Sequence, residues 1–183
     1  MSLELARALR TATRAELRAR LLEGYPIDPA ALEGYLYRGT SLGLPWLVEQ
    51  LTWKTFQKAF WRHPDGRLRG WNVRLAQDGL DAPSRPKLRR GRALTTWPYG
   101  VVAPDRSRLP GPFARGLVID YSLAPNPPWQ RLVKDPLVAL APNDADALLG
   151  VSYLFIAGRA VATPTYFTLE REQPIGEVPD SVR

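Results

Sequence analysis

Asp120 is the residue of this chain whose surroundings most clearly raise a question of chemistry. It stands between Ile119 and Tyr121 in an alternating hydrophobic segment, a position where acids are normally rare. A carboxylate in an apolar interior needs a partner, because an isolated buried charge is costly and its pKa rises. Basic residues elsewhere could supply that partner: Lys54, Arg74 or Arg131. Asp120 is predicted either as a general acid/base or ligand anchor, or as half of a structural salt bridge.

Other polar and aromatic residues lie on segments that we predict to be strands, where they could line a wall around a small molecule. A few hydroxyl or guanidinium donors on a mostly apolar wall would fix the orientation of such a ligand. Each of them could instead be core, since aromatic residues favour strands in any case. With Asp120, the predicted ligand-binding residues are Tyr37, Arg38, Trp53, Lys54, Phe56, Arg131, Tyr153 and Tyr166.

The composition excludes several kinds of catalytic site. The chain has no cysteine, so disulfides, thiolate nucleophiles and cysteine-based metal sites are excluded. Its single histidine, His63, abuts a Pro64-Asp65-Gly66 turn, so a zinc site of several histidines is excluded and a Ser-His-Asp triad would run through a loop tip. We therefore expect no metal and no cofactor.

A basic cluster is the main charged feature. The formal net charge is +7, and five basic residues fall between Arg85 and Arg92. Such a cluster could bind nucleic acid, an anionic membrane surface or an acidic partner. It could equally be a solvated loop of an arginine-rich protein. No RNP-type motif accompanies it, which disfavours nucleic acid.

The segment from Leu51 to Gln77 predicts a β-hairpin, because two aromatic-rich runs of period two flank the Pro64-Asp65-Gly66 turn. Neither face of its first strand is uniformly apolar. One face has Lys54, Phe56, Lys58, Phe60 and Arg62, and the other has Trp53, Thr55, Gln57, Ala59 and Trp61. Such a strand suits a barrel wall around a small ligand, or an ordinary half-buried sheet.

The remaining pattern predicts a mainly β chain. A capped helix is expected over Ser2–Glu23, ending at Gly24, and a short helix or turn over Leu44–Leu51. About eight short strands with turn signals follow, without βαβ alternation, which favours an antiparallel barrel or sandwich. We expect one domain, with an N-terminal helix over 1–24, a barrel over 33–171 and a loose tail over 172–183. Within the barrel, Asp78 to Gly91 is expected to be a loop.

Three passages resemble the lipocalin-like, or calycin-like, small barrels, and among them a bacterial domain of unknown function that opens with Gly-X-Trp-X-Gly. Tyr37-Arg38-Gly39 is similar to the Trp-X-Gly of that opening, with tyrosine in place of tryptophan. Trp53-Lys54-Thr55-Phe56 is similar to its Trp-X-Gly-Lys-X-Phe segment, without the glycine. The third passage comprises Ile119-Asp120-Tyr121, Arg131-Leu132-Val133 and Leu148-Leu149-Gly150-Val151. The resemblance implies an antiparallel barrel whose central cavity commonly binds a small apolar molecule.

These observations favour a carrier or sensor of a small hydrophobic ligand. The alternatives are a metal-free enzyme that acts on a small secondary metabolite with Asp120 and a tyrosine, and a protein that binds an anionic surface or nucleic acid through Arg85–Arg92. The N-terminal residues are charged and lack the apolar region of a signal peptide. The longest apolar run, Leu148–Gly158, is too short to span a bilayer. We therefore expect a cytoplasmic protein.

Overall fold

The computed structural model of the chain describes residues 2–42, 53–104 and 115–182. Its strands are β1 (Tyr35–Leu42), β2 (Thr55–Arg62), β3 (Leu68–Arg74), β4 (Leu88–Arg89), β5 (Arg92–Ala93), β6 (Thr95–Val102), β7 (Leu117–Asp120), β8 (Val133–Ala141), β9 (Asp144–Ile156) and β10 (Arg159–Pro174). Its helices are α1 (Ser2–Ala8), α2 (Arg14–Glu23) and α3 (Pro29–Leu32). Short 3₁₀ turns cover Leu9–Thr11, Tyr121–Leu123, Gln130–Leu132 and Asp180–Val182.

Eight of these strands form a closed antiparallel barrel, in the order β1-β10-β9-β8-β7-β6-β3-β2. β1 closes the barrel by pairing with β2 on one side and β10 on the other. The predicted mainly β barrel with a helical N-terminal segment is confirmed, and this architecture fits a lipocalin-like fold. The predicted hairpin is β2–β3, which pairs from Phe56↔Arg74 to Arg62↔Leu68. Gly66 completes its turn at a φ of 83°, a conformation that glycine adopts without strain.

Alternate residues of the strands point into the barrel, as the period of two requires. The interior near the β2–β3 turn is filled by buried side chains such as Tyr37, Phe60, Tyr99 and Leu148. The rings of Phe60 and Tyr99 meet edge to face, with centroids 6.0 Å apart. We call this end of the interior the packed half. An internal cavity can therefore open only at the opposite end of the barrel.

The N-terminal segment packs against the outside of the barrel as two helices rather than the predicted single helix over 1–24. Leu17 and Leu21 of α2 are buried against outward residues of the sheet such as Val138 and Tyr153. The interruption occurs at Ala12 and Thr13, because the Thr13 side chain accepts a hydrogen bond from the Glu16 amide while the Glu16 carboxylate accepts one from the Thr13 amide. This reciprocal capping box starts a new helix. Among the described helices, none is long and apolar enough to cross a membrane.

Two further segments differ from expectation. The loop expected over Asp78–Gly91 contains β4, which pairs with β5 as a two-stranded sheet. In the tail expected to be loose over 172–183, the described residues pack against the barrel: β10 continues to Pro174, and Val182 is buried beside Trp71. Apolar residues after the strand explain this packing, since Ile175 and Val178 also contact that cluster. The predicted helix or turn over Leu44–Leu51 lies outside the described residues.

Candidate functional site

A cavity of about 370 Å³ occupies the end of the barrel where β2 begins and β3 ends. Aromatic rings form most of its wall, and small hydroxyl residues interrupt them. The lining residues are Ser41, Trp53, Phe56, Lys58, Asn72, Trp97, Tyr121, Ser152, Thr165 and Phe167. The volume lies within the range of about 300–1,000 Å³ that is usual for small-molecule sites.

The floor of this cavity is a hydrogen-bonded cluster around the Lys58 amine. Lys58 Nζ donates to Tyr121 Oη at 2.6 Å, to Asn72 Oδ1 at 2.9 Å and to Asp135 Oδ2 at 3.4 Å. Tyr121 Oη in turn donates to Asp135 Oδ2 at 3.2 Å, and Ser152 Oγ donates to Asp135 Oδ1 at 2.8 Å. All three N–H bonds of the ammonium are therefore directed at oxygen atoms. We call these five residues the Lys58 cluster.

Strand register explains how these side chains converge. Lys58 and Asn72 are directly paired across β2 and β3, so their side chains are neighbours on the inner face. Asp135 pairs with the inward-facing Ile119 across β8 and β7, and therefore also faces inward. β8 lies four positions from β2 in either direction around the barrel. The Lys58–Asp135 ion pair thus connects opposite walls.

The cluster lies in an environment that penalises charge. Lys58 is only 2% exposed, and burial lowers the pKa of its ammonium while the Asp135 carboxylate acts in the opposite direction. Four rings partly replace the lost hydration by cation–π contact, with centroids 5.1–5.6 Å from Nζ: Phe56, Tyr99, Tyr121 and Phe167. Burial and the neighbouring Asp135 charge raise the pKa of Tyr121 well above its usual value. Its hydroxyl therefore stays protonated near neutral pH.

Tryptophans surround the cavity entrance. Trp53 stacks on Trp97 with ring centroids 5.1 Å apart, and the guanidinium of Arg74 lies 4.5 Å from the Trp53 ring. Trp97 has a φ of 56°, which is unusual for a bulky residue. Its carbonyl accepts a hydrogen bond from Asn72 Nδ2 at 3.1 Å. Trp129, 60% exposed, meets Trp97 edge to face at 6.0 Å, so the entrance is aromatic as well as the wall.

Trp53 and Phe56, two of the residues proposed from the sequence, line this cavity. Lys54 lies one residue before β2 and is half-buried, outside the lining. Tyr37 faces inward but lies in the packed half, with its hydroxyl accepting a bond from Arg171 Nε at 3.1 Å. Burial raises the pKa of Tyr37 to about 12, against the opposing effect of Arg171.

Asp120 lies on β7 but not in the cavity lining. Its Oδ2 accepts a 2.5 Å hydrogen bond from Lys134, its partner in the β7–β8 register. Its Oδ1 accepts bonds from the amide and hydroxyl of Ser122, so Asp120 is the N-cap of the following 3₁₀ turn. These hydrogen bonds explain why an acid can be buried in this strand, and the explanation needs no ligand.

The other proposed residues also lie elsewhere in the structure. Arg38 holds the segment before β4 by donating to the carbonyl oxygens of Gly79, Leu80 and Ala82 and to the Ser84 hydroxyl. Arg131 is exposed in a 3₁₀ turn. Tyr153 and Tyr166 belong to the outer-face cluster that the N-terminal helices cover. None of these four side chains is in the cavity lining.

Sequence reasoning missed most of the Lys58 cluster. Alternation placed Lys58 on one face with Phe56 and Phe60, but Lys58 was not singled out as a site residue. The available signal was a polar residue at an inward position of an aromatic-rich strand, and Asn72 gives the same signal in β3. Asp135 and Ser152 could be joined to them only with the barrel closed.

A second concavity of about 390 Å³ lies on the outer face of the barrel, beneath the C-terminal tail. Trp71, Val73 and Ile175 give it an apolar surface. Gln57 reaches its base, where Nε2 donates to Glu172 at 2.6 Å and the buried Oε1 has no hydrogen-bond partner among the described residues. The internal cavity has the buried, hydrogen-bonded Lys58 cluster in its lining and floor, so we take it as the candidate site.

The basic cluster predicted from the sequence lies mainly on β4 and β5. The side chains of Lys87, Arg89, Arg90 and Arg92 are exposed there, whereas Arg85 forms an ion pair with Asp78 at 2.7 Å. The turn between the two strands uses positive φ values at Arg90 and Gly91. These charged side chains face solvent and do not line the cavity.

Comparison with known proteins gives no further assignment. No protein-family model matches the chain, and no curated protein is significantly similar to it. Within the described residues, no group of three or more histidine, cysteine, aspartate or glutamate side chains could hold a metal ion.

Proposed function

We propose that this protein binds a small, mostly hydrophobic molecule in the barrel cavity and acts as its carrier or sensor. The observation that supports this most directly is the contrast between the apolar wall and the polar floor of the cavity. Phe56, Phe167 and Trp53 offer apolar surface, whereas Lys58, whose amine lies 3.4 Å from the Asp135 carboxylate, provides a polar group at one end. Such a site favours a ligand with an apolar body and one polar end.

The enzyme alternative based on Asp120 draws no support from the contacts of that residue, because Lys134 and Ser122 already occupy its carboxylate oxygens. If the cavity supports chemistry, Lys58 and Tyr121 are better placed, since they line it. The exposed basic side chains of β4 and β5 keep binding to an anionic surface as a separate hypothesis.

Two expectations from the sequence accompany this proposal. We propose that the chain forms one domain, because the helices and the tail described here both pack on the same barrel. We also propose a cytoplasmic location, with which the cysteine-free composition agrees.

The proposal is tested first by native mass spectrometry of the purified protein, followed by solvent extraction of any bound compound. Binding of the neutral apolar dye N-phenyl-1-naphthylamine to the emptied protein is then measured by fluorescence. Thr165→Phe places a ring in the cavity and should weaken dye binding at least tenfold. Val161→Phe adds the same ring on an exposed part of β10 and serves as the matched control. Equal binding by both variants would show that the dye does not use the cavity.

A further inference from the structure

The surroundings of the Lys58 primary amine favour reversible covalent chemistry. Its side chain is 3% exposed and lines the cavity, so a molecule reaches Nζ by entering that space. An amine in an apolar pocket is more readily deprotonated and hence more nucleophilic. Asp135 can receive the released proton, since its Oδ2 lies 3.4 Å from Nζ.

We propose that Lys58 reacts reversibly with a hydrophobic aldehyde in the cavity and holds it as a protonated imine. This inference rests on the proposed function and names the ligand class. The aldehyde carbon supplies the electrophile, and the apolar body of the ligand lies against Phe56 and Phe167. The cavity would thereby discriminate an aldehyde from the corresponding alcohol, which has the same shape but cannot form the bond.

The reaction balances without any other reactant. Asp135 takes one proton from the Lys58 ammonium, and the neutral amine adds to the carbonyl carbon to form the C–N bond. The carbonyl oxygen becomes a hydroxyl and then leaves as water, taking up a proton on the way. In sum, the ammonium and the aldehyde give a protonated imine and one water molecule, so two hydrogens leave nitrogen and the positive charge remains there.

The electrostatics of the cluster suit this conversion. Because the charge on nitrogen is the same before and after, the Asp135 carboxylate is the counter-ion of both the ammonium and the imine. Tyr121 Oη, 2.6 Å from Nζ, is within reach to pass the proton between the carboxylate and the departing oxygen. Burial, which lowers the pKa of Lys58, also excludes the bulk water that would hydrolyse the product.

The other lysines of the chain provide internal references. Lys134 is held by Asp120 at 2.5 Å, and Lys54 is half-buried. Lys87 directly precedes β4 and is exposed to solvent. It reports the background reactivity of an ordinary surface amine, so labelling of Lys58 can be measured against it in the same sample.

The experiment uses 2-naphthaldehyde as the probe and 2-naphthalenemethanol as its non-reactive match. The protein is incubated with the aldehyde and sodium cyanoborohydride, which converts an imine into a stable secondary amine. Intact mass gives the number of adducts, and peptide mapping gives their positions. We expect Lys58 to be labelled at least tenfold faster than Lys87, and an excess of the alcohol to suppress labelling of Lys58 alone. Lys58→Arg should retain the charge and lose the adduct.

Competition by the alcohol needs no variant, so the test stands even if Lys58→Arg fails to fold. Displacement of N-phenyl-1-naphthylamine separates the two proposals. If both naphthalene compounds displace the dye but Lys58 is trapped no faster than Lys87, the imine is refuted and the binding function survives. If neither compound nor the dye enters the cavity, both proposals fail together.

Discussion

Lys58 and Asp135 place opposite charges inside the barrel, with side chains 3% and 5% exposed. A buried ion pair adds little stability over a well-packed apolar pair, but loss of one partner leaves an uncompensated charge. Asp135→Asn should therefore lower the free energy of unfolding by about 3–5 kcal/mol, as measured by urea denaturation at pH 7. In the double variant Lys58→Met/Asp135→Leu, most of that loss should be recovered.

Asp78→Asn is the matched control, since it makes the same substitution in the exposed ion pair with Arg85. Exposed pairs contribute about 0–1 kcal/mol. Equal destabilisation by the two substitutions would contradict an essential pairing of Lys58 with Asp135.

The sequence allowed only part of this site to be predicted at the level of residues. Trp53 and Phe56, two of the predicted ligand-binding residues, line the cavity. They could be proposed because alternation and composition are local properties. Asp135 is 77 residues away from its partner Lys58 in the chain, so no local pattern connects the two. Asp120 was proposed as the candidate acid instead, because the sequence of a hydrophobic strand is the same whether its acid faces a cavity or a neighbouring lysine.

At the level of elements, the shape of the cavity depends on a close contact between β1 and β2. Gly39 faces inward, and a Cβ there would lie 2.2 Å from Cε2 of Phe56. Gly39→Ala must therefore push the Phe56 ring, which forms the cavity wall, away from its position. We expect dye affinity to fall several-fold, as measured by N-phenyl-1-naphthylamine fluorescence, with some loss of stability from the strained packing.

Gly176→Ala is the control for this change, because a Cβ at that position meets no atom within 4 Å. It should leave dye binding as in the natural sequence. An unchanged affinity in Gly39→Ala would show that the Phe56 ring does not define the binding surface.

Elements were predicted best where the signal was local. The β2–β3 hairpin follows from its alternating strands and its Pro64-Asp65-Gly66 turn. The helix interruption was missed because Thr13 and Glu16 are also tolerated within a helix, and only their reciprocal hydrogen bonds select a new N-terminus. The C-terminal tail was expected to be loose because the few apolar residues after β10 have no partners until the outer face of the barrel is formed.

For the whole molecule, the number of strands and the lack of βαβ alternation predicted an antiparallel barrel or sandwich. The mixed faces of the hairpin strand and the resemblance to lipocalin-like barrels favoured the barrel. The identity of opposite strands was not predictable, because it depends on the closed order in which β1 joins β2 to β10. That order determines both the Lys58–Asp135 pair and the division of the interior into a packed half and a cavity. The site is thus a property of the closed barrel rather than of any segment.

Closure of the barrel also buries phenol groups, and this predicts how the whole molecule responds to alkali. Burial raises the pKa of Tyr37 to about 12 and those of Tyr99 and Tyr121 well above their usual value of 10. Between pH 10 and 12 these phenols therefore bind more protons in the folded protein than in the unfolded chain, so their contribution to the free energy of unfolding falls as pH rises. The stability from these groups is fully present below pH 10.

Tyr37→Phe isolates the contribution of Tyr37 to this pH dependence of the free energy of unfolding. The variant loses the hydrogen bond from Arg171 at every pH, but it has no phenol to ionise. Its loss of stability between pH 9 and 11.5, from urea denaturation, should be smaller than that of the natural sequence by about 2 kcal/mol. Tyr25→Phe, at an exposed position, should leave the pH dependence as it is. Because Lys58 is present in all three proteins, its contribution cancels in the comparison. An identical pH dependence in Tyr37→Phe would mean that Tyr37 is hydrated rather than enclosed by the barrel.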